Sequence, residues 1–406
     1  MTNSERSPRE PGIAGAIREA IRAGGRTGRD MDGRERRCIS FRDYMAICLY
    51  DPAYGYYRGP EKVRVGREGD FYTSSYIGDV LGERLGAYAR GLAAERFGRA
   101  ETVELVDWGG GTGRLAKQML GGWNAAAEAA GAGETGTGEA GAAAFEGPRV
   151  RVTVVDDDPA HRREAETRLA AEIAAGAARV LSAAEAEAQP WRERPVVVVA
   201  NELLDAMPVH RVVLRGGRLR EWAVAWDDES GRPVPCAAEP STPRLAETMA
   251  RSGIRLREGQ TAEIGLEAAD WIASLAGKLG RAIVAVVDYG DEAEELTAGH
   301  RMAGTLLCYR RHVASGDPFE APGEQDITAH VDFTSVRAAA EAAGWSALWY
   351  GTQKRFLVEA GVLERLAEHA FADLFHPVAR TNRAIRQLLL SDGMSELFKV
   401  LVLAKG

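Results

Sequence analysis

Five stretches of the chain are dominated by apolar residues and too short to be typical helices. They are 102–107, 150–156 (VRVTVVD), 178–182, 196–200 (VVVVA) and 282–288 (AIVAVVD). Continuous runs of this kind, rather than alternation, mark strands covered on both faces. Helical patterns lie between them, so the chain predicts a wound α/β sheet with helices on either side. Segments 345–350 and 355–360 are predicted as an antiparallel edge pair. Upstream, Ile13, Ile17 and Ile21 share one face of a helix over 13–22. Residues 24–37, rich in glycine and arginine, read as a loop. FRDYMAICLYDPAYGYYRG (41–59) reads as a helix stopped at Asp51-Pro52, followed by a tyrosine-rich turn. The glycine-punctuated GREGDFYTS (66–74) precedes a helix over about 77–94.

Two inserts interrupt the alternation. Residues 124–147 are nearly all Ala, Gly, Glu and Thr, a low-complexity composition expected to stay mobile. They join a helix to the next strand, at the strands' N-terminal edge. Ligands of wound sheets bind at the other edge, so this insert is expected to be dispensable for chemistry. The second insert, 209–264, opens with HRVVLRGGRLREWAVAW, a hairpin turning at Gly216-Gly217. It is expected to form a smaller domain over the sheet's C-terminal edge.

With 406 residues the chain exceeds one ordinary core, and its 45% hydrophobic content is that of a globular protein. The formal net charge of −8 argues against a broad surface for nucleic acid or anionic membrane. Cys38, Cys48, Cys236 and Cys308 form no CxxC pair, and the Cys/His spacing resembles no zinc site. Free thiols suit a reducing compartment. The N-terminal arginines (Arg18, Arg22, Arg26, Arg29) are interspersed with Glu5, Glu10, Glu19 and Asp30, whereas transit peptides are poor in acids. A cytoplasmic location is therefore expected.

Between the strand at 102–107 and a helix beginning RLAKQML stands DWGGGTG. Missing side chains let backbone approach a ligand, and the helix start offers free N–H groups. Gly109, Gly111 and Gly113 give G-x-G-x-G, the form of S-adenosylmethionine (SAM) sites. Gly111, Gly113 and Ala116 also satisfy the dinucleotide form. Asp107 tilts the choice: a carboxylate there opposes a pyrophosphate but complements the amino group and sulfonium of SAM. Asp156, ending the second strand, is placed to accept two ribose hydroxyls in either cofactor, with Asp157 and Asp158 as neighbouring alternatives. ANELLDAMPV (200–209) ends the fourth strand. Asn201 offers an amide to cofactor or substrate. If a helical turn follows, Glu202 and Asp205 share a face. Two carboxylates suit a cationic acceptor, and a guanidinium, always protonated and a planar fork of donors, is the sharpest case.

From about 13 to 405 the chain resembles the MidA-like SAM-dependent methyltransferases. The matching stretches include FRDYM and LYDPAYGYY (41–57), GDFYTS (69–74), GGGTG (109–113), ANELLDAMPVHR (200–211) and VDYG (287–290). GTLLCYRRH (304–312), QDITAHVDF (325–333), TQKRFL (352–357) and FKVL (398–401) follow in order. The resemblance implies a class I methyltransferase (Rossmann-like) wound sheet with an N-terminal helical segment and an inserted hairpin/helix domain. The expected divisions are a helical cap with a cofactor-covering loop at 1–100, core at 101–208, hairpin insert at 209–264, core at 265–361 and a helical segment at 362–406. It also implies SAM as cofactor. For mitochondrial members it implies dimethylation of an arginine in a respiratory complex I subunit. By motif, Gly109, Gly111 and Gly113 line the SAM loop and Asp156 is the ribose acid. Gly69, Asp70, Thr73 and Ser74 fold over the methionine end, and Asn201, Glu202 and Asp205 face the methyl group. His330 is the candidate proton acceptor or positioning group. Asp326 and Thr328 are expected to cap the helix after 333 or shape its loop.

The chain departs from the family at TSSYIG (73–78), where relatives often have TSPEIS, and at VDDD (155–158), where VEPS is usual. Asp107 stands where a glutamate is usual. The expected function is methyl transfer to a protein arginine, as a monomer or homodimer. The alternatives are a small-molecule methyltransferase and a non-catalytic SAM-binding assembly factor.

Overall fold

The computed structural model describes residues 12–58, 77–98, 101–134, 147–368, 376–391 and 395–406. The chain divides into two compact units. One comprises 1–71, 205–269 and 291–335; the other comprises 72–204, 270–290 and 336–406.

The second unit is built on the wound sheet. Its strands lie in the order Ser346–Thr352, Phe398–Lys405, Ala282–Asp291, Val196–Asn201, Thr102–Trp108, Arg149–Val155, Ala178–Leu181. The five apolar runs supply the parallel part. Val196–Ala200 and Ala282–Asp288 are buried residue after residue, as strands covered on both faces must be. The antiparallel edge differs from expectation. Ser346–Thr352 pairs with Phe398–Lys405, which pairs in turn with Ala282–Asp291. Segment 353–359 is a helix, because Thr352 caps it by accepting the Arg355 N–H at 3.2 Å. Its place in the sheet is taken by FKVLVLAK, buried from Phe398 to Ala404. The C-terminal region expected to be helical thus holds a helix at Pro377–Leu390 and then a central strand. The low-complexity insert also begins in regular structure: the helix that opens at Arg114 runs to Glu134.

The other unit contains a small closed ring of strands. Arg26–Asp30 pairs with Glu35–Ser40, which pairs with Arg218–Asp227. Arg218–Asp227 pairs with Arg232–Ala238, which returns to Arg26–Asp30. Closing so few strands leaves room only for small side chains, and Cys38, Ala223, Ala225, Cys236 and Ala238 pack together. Gly28 belongs to the same economy of space, since a Cβ there would stand 3.0 Å from both Cys236 Sγ and the Ala237 carbonyl. Residues 24–37 are therefore a strand hairpin rather than a loop. Arg29, Arg34 and Arg37 are exposed, whereas Arg36 pairs with Asp30 at 2.6 Å and Asp227 at 3.2 Å, and Arg26 pairs with the buried Glu221 at 3.3 Å. The predicted hairpin at Gly216-Gly217 is present, flanked by His210–Arg215 and Arg218–Asp227. A second small sheet joins Leu307–Arg310 to Val313–Ser315 and Asp326–Thr328.

Candidate active site

The glycine loop grows from the strand Thr102–Trp108, buried from Val103 onward, and ends in the helix that opens at Arg114. Gly109, Gly111 and Gly113 all have positive φ, of 78°, 51° and 71°. Gly110 is required for a different reason: a Cβ there would lie 2.8 Å from the Asp107 carboxyl carbon. At Gly111 a Cβ would meet nothing within 4 Å, so the backbone faces open space where a ligand can approach.

Asp107 is 1% exposed, and its Oδ2 is buried with no hydrogen-bond partner. Burial pushes its carboxyl up to about 7; the Ala116 N–H opposes this, and the nearby Asp156 charge adds to it. An orphaned acid beside a loop open to ligand fits a cationic group such as an ammonium or sulfonium.

The three neighbouring aspartates have separate partners. Asp156 accepts the Gly111 N–H at 3.0 Å and the Asp158 N–H at 2.8 Å. His161 Nδ1 lies 3.4 Å away. Asp157 is turned to the Ala183 N–H at 2.9 Å. Asp158 caps the helix Pro159–Arg168 by accepting the Ala160 N–H at 2.8 Å. Asp156 is thus bonded to the glycine loop.

Asn201 ends its strand with Nδ2 donating to Glu202 at 3.2 Å and Oδ1 buried without a partner. No helical turn follows. Glu202 is left-handed, with φ 53°, and its N–H closes on the Val287 carbonyl at 2.9 Å. Helical spacing therefore does not bring Glu202 and Asp205 to one face. The backbone amides of Leu203 and Leu204 instead donate to Asp288, a residue 0% exposed, at 3.2 and 2.8 Å.

Asp205 belongs to the other unit, where its carbonyl accepts the Ala329 N–H at 3.0 Å. There its charge and that of Asp326 both raise the hydroxyl pKa of Tyr50, Tyr57 and Tyr309, chiefly a result of burial. Tyr57 donates to Asp326 at 2.8 Å, and its ring stacks on Tyr50 at 5.5 Å. Asp326 and Thr328 are thus strand residues. The helix after 333 is capped by Asp332, which accepts the Thr334 N–H at 2.9 Å. His330 is half-buried, and its N–H is held by Thr305 Oγ1 at 3.2 Å. Gly69, Asp70, Thr73 and Ser74 lie outside the described residues. The sequence offers Asp288 and Tyr289, ending a strand at the ligand edge, as substrate contacts; that Asp288 accepts the Leu203 and Leu204 amides was not foreseen. The available signal was an acid ending a buried strand beside the Asn201 strand.

Residues 92–351 match the model of a family described as "Putative S-adenosyl-L-methionine-dependent methyltransferase". The protein arginine methyltransferase NDUFAF7 homolog of Drosophila melanogaster, mitochondrial, is 28% identical over 75% of this chain and 67% of its own. Its Danio rerio counterpart, also mitochondrial, is 26% identical over 81% and 74%. A crystal structure from Burkholderia thailandensis, bound to S-adenosyl-homocysteine, is 31% identical with a TM-score of 0.79. It covers 97% of this chain and 92% of that one. These relatives overturn the expected cytoplasmic location, because both named proteins are mitochondrial. Buried free thiols mark a reducing compartment, not which one. The chain belongs to this family: it is a SAM-dependent methyltransferase with the wound α/β fold expected of it, and SAM is its cofactor.

Proposed function

We propose that this SAM-dependent methyltransferase moves methyl groups to the guanidinium of a protein arginine, with a respiratory complex I subunit as the acceptor protein. The relatives named protein arginine methyltransferases support the acceptor class. The observation that carries the cofactor-site assignment is the buried, unpartnered Asp107 Oδ2 beside a glycine loop that Asp156 ties down.

In this reading Gly109, Gly111 and Gly113 carry the backbone against the cofactor, Asp156 takes the ribose hydroxyls, and Asp107 complements the positive methionine end. Asn201 offers its unpartnered Oδ1 to the same end. Gly69, Asp70, Thr73 and Ser74, outside the described residues, are assigned to cofactor binding by their motif. The bound cofactor supplies an electrophilic methyl on a cationic sulfur, which departs neutral and needs no acid. The chain's own task is alignment, worth roughly 7–11 kcal/mol when nucleophile and electrophile are held in near-attack geometry. Glu202 orients the guanidinium by charge-assisted hydrogen bonds.

The test is transfer of tritiated methyl from SAM into an extract of cells lacking this protein, followed by hydrolysis and separation of amino acids. Label in methylated arginine is expected, and its loss with Glu202→Gln. Label confined to other residues or to small molecules would overturn the arginine reading.

A further inference from the structure

Glu202 is one of three non-glycine residues with positive φ among the described residues, the others being Arg311 and His312. Such a conformation costs on the order of 1 kcal/mol or more and persists only where the surroundings enforce it. Here the enforcing contacts are visible. The Glu202 N–H is held by the Val287 carbonyl at 2.9 Å. The next two amides, Leu203 and Leu204, both donate to Asp288 Oδ2, at 3.2 and 2.8 Å. The other oxygen, Oδ1, accepts the N–H of Tyr289 at 2.9 Å. One buried carboxylate thus gathers three backbone donors, two of them from the turn that carries Glu202.

Sheet geometry places Asp288 for this task. Asn201 is in register with Val287 across the parallel pair, so Asp288 stands one residue beyond the point where the neighbouring strand ends. On its other side Asp288 is in register with Lys399 of Phe398–Lys405, which fixes its height in the sheet. A carboxylate 0% exposed has no water to fall back on, and these three amides help to hold it in place. Loss of one partner frees the turn, and nothing else among the described contacts donates to or accepts from the Leu203 and Leu204 amides.

We propose that Asp288 is a positioning residue for methyl transfer: it holds the Asn201–Glu202 turn in the left-handed conformation that presents Glu202 to the acceptor. The inference rests on the assignment of Glu202 to the acceptor. Asp288 itself touches neither cofactor nor acceptor in this account.

The experiment compares Asp288→Asn and Asp288→Ala with the unaltered protein and with Glu202→Gln. Hydrogen exchange reads the amides of Leu203 and Leu204. Calorimetry reads binding of S-adenosyl-homocysteine. The initial rate of tritiated methyl transfer into the same extract, with SAM saturating, reads turnover. Asp288→Asn retains one acceptor and keeps the comparison open where Asp288→Ala does not fold. The expected result is at least tenfold faster exchange at both amides, S-adenosyl-homocysteine affinity within threefold, and a turnover loss of tenfold or more in Asp288→Asn. Raising the extract concentration does not restore the rate, as it would if only acceptor affinity had been lost. Unchanged exchange, or unchanged turnover in a folded variant while Glu202→Gln is inactive, would overturn the role of Asp288 alone. Full turnover in Glu202→Gln would instead overturn the reading on which it rests.

Discussion

Asp156 Oδ2 lies 3.0 Å from the backbone nitrogen of Gly111, so the acid assigned to the ribose also pins the middle of the glycine loop. A hydrogen bond to a charged group contributes about 1.5–3 kcal/mol, more than a neutral one. Asp156→Ala removes this anchor together with the ribose contact. It is expected to weaken S-adenosyl-homocysteine binding by tenfold or more, measured by calorimetry, with smaller loss from Asp156→Asn. Equal affinity in both variants would move the ribose role elsewhere.

Asp107 gives a pH dependence whose sign follows from its burial. Its folded pKa, raised to about 7, exceeds the unfolded value near 3.9. Between these values the folded state binds more protons, so this group's contribution to stability falls as pH rises from about 4 to about 7 and stays low above. Asp107→Asn removes the titration. It is expected to melt higher than the unaltered protein at pH 8 and to lose most of that advantage at pH 5, as read by thermal unfolding. Binding of cationic SAM to the unaltered protein should strengthen as Asp107 ionises, and this part of its pH dependence should vanish in Asp107→Asn.

Glu202 tests strain against function. Glycine is at ease at φ 53°. Glu202→Gly is therefore expected to unfold within about 1 kcal/mol of the unaltered protein, since relief of strain offsets the greater freedom of the unfolded chain. Methyl transfer is expected to be lost. Denaturant titration and the tritium assay check the two halves, and retained transfer would remove Glu202 from the mechanism.

Tyr57 donates to Asp326, an acid 2% exposed. Tyr57→Phe keeps the ring stacked on Tyr50 and removes one donor from a buried carboxylate. A loss of about 1–3 kcal/mol in unfolding free energy is expected from denaturant titration. No change would mean that Asp326 is satisfied without it.

The core sheet was legible because its parallel strands are dominated by apolar residues, unbroken at 196–200 and 282–287, a signal that burial on both faces writes into the sequence. The glycine loop and its acids were legible for a related reason, since only glycine fits at Gly110 against Asp107. The hairpin Arg26–Asp30 with Glu35–Ser40 was not. Its ring encloses only small residues, so arginines and a glycine stand where alternation of large apolar residues would have announced a strand. The helix at Gln353–Glu359 was mistaken for a strand because local apolar content does not say which segment the sheet will take. The turn after Asn201 misled in another way. Its sequence suits a helix start, but with the Leu203 and Leu204 amides gathered on Asp288 the turn takes a left-handed residue that propensity does not foresee.

The most direct measurement is calorimetric titration of S-adenosyl-homocysteine and NAD into the unaltered protein and into Gly111→Val. Valine is strained at φ 51°, so the variant distorts the loop at the residue that Asp156 holds. The account predicts micromolar binding of S-adenosyl-homocysteine, no binding of NAD, and loss of the signal in a folded Gly111→Val. Undiminished binding in that variant, or binding of NAD in place of S-adenosyl-homocysteine, would contradict the assignment of this loop as the cofactor cradle.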